Sequence, residues 1–194
     1  GDKISSATVV LDSIGGIVAT LMSGNGGDMP IRTVTGVVML GTGPTISAAN
    51  YGGYIDVNLD AEILGGAMTI EGIIRWDAIN SESRLFDCGN GVTDVIVLGN
   101  QDATGQLDWA IMQGAGNQAA LSPSTSDLAV GVRYHIIGTV SASTMVSYIN
   151  GVKRGENTVA WEPNAMTRTN CYIGKNNWVS GGYLSGEVSS LKIY

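Results

Sequence analysis

Two amides, an indole and a phenol stand close together in Lys175-Asn-Asn-Trp-Val-Ser-Gly-Gly-Tyr183. Flat aromatic faces take the C–H side of a sugar ring and amides pair with its hydroxyls, so Asn176, Asn177, Trp178 and Tyr183 form a candidate carbohydrate-contacting loop. Asn100-Gln101-Asp102 supplies further polar groups at the end of another apolar run, which adds Asn100 and Asp102 to the candidates. A large aromatic such as Trp178 equally serves to plug the end of a fold. Composition leaves both roles open.

Cleaving a glycosidic bond would need two facing carboxylates, about 5 to 9.5 Å apart depending on mechanism. No Glu-x-Asp-x-x-Glu run aims several acids from one strand face. Glu71 is followed along its strand only by Asp77, Glu187 stands alone, and Asp56, Asp60 and Glu62 read as acids solvating a turn. No catalytic residue is assigned. His135 is the sole histidine and anchors neither a triad nor a metal centre. Cys88 and Cys171 match no zinc spacing, because structural zinc takes four Cys or His ligands. A disulfide or two buried thiols remain. Asp87, Asn90 and Asp94 put oxygen donors around a tight turn, a candidate site for a hard cation such as calcium. Asn-Gly turns gather the same groups for purely structural reasons.

Ten basic against seventeen acidic residues give a formal charge of -7. No Lys/Arg cluster exists that could neutralise a row of phosphates, so nucleic acid is excluded as a partner. The longest apolar stretches, 14–22 and 34–40, are too short to cross a bilayer and are broken by Gly and Thr. The expectation is a soluble protein without membrane insertion. A start at Gly1-Asp2, lacking Met and an apolar leader, reads as a mature or excised piece of a longer polypeptide. Nothing in the chain sets an oligomeric state.

The elements that must position these side chains are strands. Glycine accounts for 28 of 194 residues and charged residues for only 14%, a composition of many turns joined by short strands. Met68, Ile70, Gly72, Ile74 and Trp76 alternate with Thr69, Glu71, Ile73 and Arg75. Leu107, Trp109 and Ile111 alternate with Asp108, Ala110 and Met112, and both runs read as half-buried strands. Residues 145–149 lead into Asn150-Gly151, a strong two-residue hairpin signal, with 152–154 returning. Leu184, Gly186 and Val188 share one phase and Leu191 and Ile193 the other, so a bulge is expected near Ser189-Ser190. Turn material at 24–27, 41–44, 89–91, 114–116, Pro123 and 181–182 is spaced as in a sandwich. Residues 9–11, 17–21 and 34–40 read as N-terminal strands. The length suits one domain, residues 1–194.

The order of motifs resembles the laminin-G-like, concanavalin A-like lectin/glucanase superfamily in its LamG-like jellyroll form. The matching segments are Leu11-Asp-Ser-Ile-Gly-Gly16, Gly53-Tyr-Ile-Asp-Val57, 68–77, Arg84-Leu-Phe-Asp-Cys-Gly-Asn-Gly91, Tyr134-His-Ile-Ile137, Tyr148-Ile-Asn-Gly151, 167–174 and the closing 185–194. The resemblance implies an all-β, two-sheet antiparallel jellyroll β-sandwich. It implies a noncatalytic carbohydrate-binding or adhesion module of a secreted, cell-surface or virion-surface protein, with a glycan or a surface protein as partner. Its rivals are a structural or protein–protein module, such as a phage or viral decoration protein, and a glycoside hydrolase with unrecognised acids. Calcium in such domains sits at the sandwich rim, here 114–117 and 169–170, where the first loop lacks a carboxylate. Cys88 and Cys171 both replace residues commoner in the family, which implies that they meet in space.

Overall fold

The computed structural model describes residues 6–10, 18–24, 27–33, 36–42, 51–59, 64–114, 117–121, 125–178 and 181–194. Among them there is no helix, and every regular element is a strand. In chain order these are β1 (Ser6–Val10), β2 (Val18–Gly24), β3 (Ile31–Arg32), β4 (Val37–Met39), β5 (Gly52–Val57), β6 (Met68–Ala78), β7 (Arg84–Asn90) and β8 (Thr93–Asn100). They continue with β9 (Leu107–Gln113), β10 (Asn117–Leu121), β11 (Arg133–Ser141), β12 (Thr144–Ile149), β13 (Val152–Asn157), β14 (Asn170–Ile173) and β15 (Ser185–Ile193).

Two antiparallel sheets result. One runs β1-β2-β5-β14-β7-β8-β9-β10 and the other β13-β12-β11-β6-β15-β4-β3. Together they make the two-sheet antiparallel sandwich that alternation and turn spacing imply, in the jellyroll form that the resemblance implies. In β6 Met68, Ile70, Gly72, Ile74 and Trp76 are all buried and face the core. Trp76, Trp109, Phe86, Ile70, Ile74, Leu85, Ile96 and Leu98 fill the space between the sheets. The indole Nε1 of Trp109 donates to the Thr139 carbonyl at 2.9 Å, satisfying the one polar atom that this ring carries inside.

Local chemistry accounts for the register. Asn150 and Gly151 both adopt positive φ, 51° and 77°, and Ile149 pairs with Val152, so β12 and β13 close through the two-residue turn that Asn-Gly favours. In β15 the pairing with β6 slips between Val188 and Ser190, the bulge that its change of phase requires. β1, β2 and β4 fall on the three N-terminal strand segments read from the sequence, with shifted ends. Leu11-Asp-Ser-Ile-Gly-Gly16, Asp60, Glu62 and Pro123 lie outside the described residues.

β9 differs from its half-buried expectation. Asp108 and Ala110 are buried along with Leu107, Trp109 and Ile111, so both faces of this strand are covered. On its outward face the cover includes Trp178, which packs on a small apolar cluster of Val95, Val97 and Ala110.

Candidate ligand groove

Register alone places one row of residues across the outward face of the eight-stranded sheet. Thr20 pairs with Asp56, Asp56 with Tyr172, Tyr172 with Asp87, Asp87 with Val97, Val97 with Ala110 and Ala110 with Ala120. Period-2 alternation sends the neighbours in sequence, including Cys88, Cys171, Ile96 and Ile111, into the core. A second row joins Arg84, Gly99 and Asp108. A Cβ on Gly99 would come within 2.9 Å of Arg84 Cδ, so the missing side chain leaves room for Arg84 to lie across the strand.

Arg84 uses that room to join two acids. Its Nη1 donates to Asp108 Oδ2 at 2.8 Å and to the Asn100 carbonyl at 2.7 Å, and its Nη2 is paired with Glu82. Arg84 is 4% exposed, so these partners replace the water of Nη1 and Nη2, while Nε is buried without a partner. Around the triad opens a groove of about 420 Å³, whose lining includes Val97, Gln101, Ala110, Met112, Gln118 and Trp178. Its accessible apolar lining is Met112, Ala120 and the Trp178 indole, seated on the buried Val97 and Ala110, and its polar lining is amides and carboxylates. Such a surface offers C–H contacts below and hydrogen bonds at the sides.

The 175–183 loop forms one wall. Asn176 is 1% exposed, donates to the Glu82 carbonyl at 3.1 Å and accepts from the Trp178 amide at 3.0 Å. Asn177 donates to Asp87 Oδ1 at 2.6 Å and to the Asn170 carbonyl at 3.0 Å. These bonds pin the loop to the sheet and leave the partly exposed Trp178 ring beside the groove. Tyr183 is buried, its ring 6.2 Å from that of Tyr54, and it does not line the groove. Lys175 lies 4.5 Å from the Tyr54 ring and 4.3 Å from the Tyr172 ring, a cation–π cage that stabilises its charge while burial lowers its pKa.

Asn100 is fully buried and braces the turn after β8. It accepts from Ser83 Oγ at 2.7 Å and donates to the carbonyls of Asn80 and Asp102, at 2.8 and 2.6 Å. Asp102 is exposed in that turn at a φ of 48°, and its amide donates to Glu82 Oε1 at 2.9 Å. Both therefore stand behind Glu82 and Gln101 rather than in the groove lining.

The candidate cation donors hold protein hydrogens. Asp87 Oδ1 accepts from Asn177, Asn90 Oδ1 from the Thr169 amide at 3.2 Å, and Asp94 Oδ1 from the Gly114 amide at 2.8 Å. No group of three or more His, Cys, Asp or Glu side chains able to hold a metal gathers among the described residues. Asp87 is wholly buried, and desolvation pushes its carboxyl up to about 6 although the Arg84 charge pulls the other way. Cys88 and Cys171 are opposite partners on β7 and β14, with Cα atoms 3.9 Å apart, and are joined in a disulfide. His135, on the outer face of the other sheet, lies 3.5 Å from Glu71 and is not among the groove-lining residues.

Glu82, Arg84, Gln101, Asp108, Met112 and Gln118 are groove residues that motif reading did not select. One signal was present: Asp108 is an acid inside an apolar strand, on the phase opposite Trp109.

A laminin G family model, described as the concanavalin A-like lectin/glucanases superfamily, matches residues 49–194. No curated protein matches the chain in sequence. Among solved structures it resembles domain 4 of AbnA, a GH43 extracellular arabinanase from Geobacillus stearothermophilus, solved with arabinotriose. That likeness has 15% identity over 98% of this chain and 90% of the other, with a TM-score of 0.72. The CBM40 of the Ruminococcus gnavus IT-sialidase, bound to α2,3-sialyllactose, shares 13% identity over 66% of this chain and 75% of its own, at a TM-score of 0.58. Domains LG4-5 of the mouse laminin α1 chain share 13% over 84% of this chain and 44% of theirs, at 0.56. At these identities the structural likeness speaks for the fold, and with the family match over three quarters of its length the chain belongs to the concanavalin A-like lectin/glucanases superfamily.

Proposed function

We propose that this chain is a noncatalytic carbohydrate-binding or adhesion module of a secreted, cell-surface or virion-surface protein, and that it holds a glycan in the groove over β8, β9 and β10. The carrying observation is the Trp178 ring, seated on Val95, Val97 and Ala110 and flanked by groove amides and carboxylates. Two of the similar structures were solved with oligosaccharides, which supports the same reading. Glu82 and Asp108 are the groove's two acids, and both are tied to the Arg84 guanidinium. Both acids share one cation rather than facing each other freely across a scissile bond, which weighs against hydrolysis. Within this reading Asn176 and Asn177 position the loop, and Trp178 and Gln101 make ligand contacts.

The test is a broad glycan array with the wild type and Trp178→Ala, read beside thermal melting. A stacking role predicts a loss of about 1 to 3 kcal/mol in binding with little change in Tm. A plug role predicts a stability loss of about 3 to 5 kcal/mol instead. A wild-type protein that holds no glycan would move the assignment to a structural or decoration module.

A further inference from the structure

Resting on the reading of the groove as a glycan site, we infer that it selects uncharged saccharides and excludes those bearing carboxylate or sulfate groups. Among the described residues, the groove lining carries two carboxylates, Glu82 and Asp108, and a single cation, Arg84. Both acids are paired to that one guanidinium. The formal net charge of the triad is therefore -1; Arg84 spends Nη1 and Nη2 on protein oxygens, and its remaining donor, Nε, is buried out of reach of a bidentate anion.

The other nine cations of the chain are Lys3, Arg32, Arg75, Arg133, Lys153, Arg154, Arg168, Lys175 and Lys192. Eight of these are described, and each is placed elsewhere. Arg32, Arg75, Arg133, Lys153, Arg154 and Lys192 belong to strands of the seven-stranded sheet. Arg168 is 1% exposed and donates to the carbonyls of Asp94, Leu64 and Asn164, at 2.6, 2.6 and 3.1 Å. Lys175 is held over Tyr54 and Tyr172 on the far side of Asp87, which lies between Tyr172 and Val97 in register. An anionic sugar entering here would meet fixed negative charge in a partly desolvated cleft, with no second cation among the described lining residues to neutralise it.

The experiment compares matched glycans on an array and then by titration: neutral oligosaccharides, including lactose and arabinotriose, beside sialylated, uronate-bearing and sulfated counterparts such as α2,3-sialyllactose. The expected result is that the glycans retained are neutral and that each acidic counterpart binds at least about tenfold more weakly, the scale of one close like-charge repulsion. Gln118→Lys, at an exposed position in the groove wall, adds a cation without disturbing the buried triad. It should narrow the gap between acidic and neutral glycans and make the remaining difference sensitive to salt. An acidic glycan held as tightly as its neutral counterpart, or a ratio unmoved by Gln118→Lys, overturns the inference while glycan binding itself stands. An array that retains nothing overturns the binding assignment and this inference together.

Discussion

Asn177 donates a 2.6 Å hydrogen bond to Oδ1 of Asp87, a carboxyl wholly withdrawn from water and 90 residues away in the chain. This contact ties the groove loop to the centre of the eight-stranded sheet.

Its consequence is a pH dependence of stability. Burial raises the Asp87 pKa from 3.8 to about 6, so the folded state holds the proton more tightly than the unfolded chain. The stabilising contribution is fully present below about pH 4 and is lost as pH rises through about 6, amounting to about 3 kcal/mol at most. Asp87→Asn keeps an oxygen for Asn177 and removes the titration. Urea unfolding at pH 4.5 and pH 7 (values chosen to straddle that window) should show wild type gaining stability relative to Asp87→Asn at the lower pH. An unchanged difference would refute the assignment.

Cys88 and Cys171 join strands separated by 83 residues in sequence. In the chain-entropy account, closing a loop of that size stabilises by about 4 kcal/mol. Cys88→Ala with Cys171→Ala should lower the urea midpoint accordingly, and reductant should do the same to the wild type. Intact mass after alkylation without reductant should show neither thiol modified, whereas two alkylated cysteines would mean that no bond forms.

Gly-to-Ala changes should separate two kinds of constraint. At Gly151 an added Cβ meets nothing, but φ is 77°, so the expected loss is conformational, about 1 kcal/mol. At Gly138 the Cβ would stand 2.7 Å from the Trp109 ring, so the expected loss is overpacking, about 1 to 3 kcal/mol. Gly151→Asn, a residue that tolerates the left-handed region, should recover much of the first loss. Near-UV circular dichroism should change for Gly138→Ala and not for Gly151→Ala, because only the former displaces a buried indole.

Much of the architecture was legible because its causes are local. The Met68–Ala78 alternation follows from the pleat, the β12–β13 hairpin from two residues that accept positive φ, and the bulge at Ser189 from a phase change within one strand. The loop carrying Trp178 was legible for the same reason, since its amides and aromatics are neighbours in sequence.

What the side chains of that loop do was decided by tertiary structure. Asn176 binds the Glu82 carbonyl 94 residues back, and Asn177 binds Asp87, so amides that composition offers to a ligand instead hold the loop down. Asp108 reads as the polar half of a half-buried strand, yet its face is covered and Arg84 reaches it across Gly99. Sequence periodicity determined which face each residue takes. Whether that face meets water, a loop or a charge depends on strands and loops brought together from distant parts of the chain, and only their assembled packing made the groove.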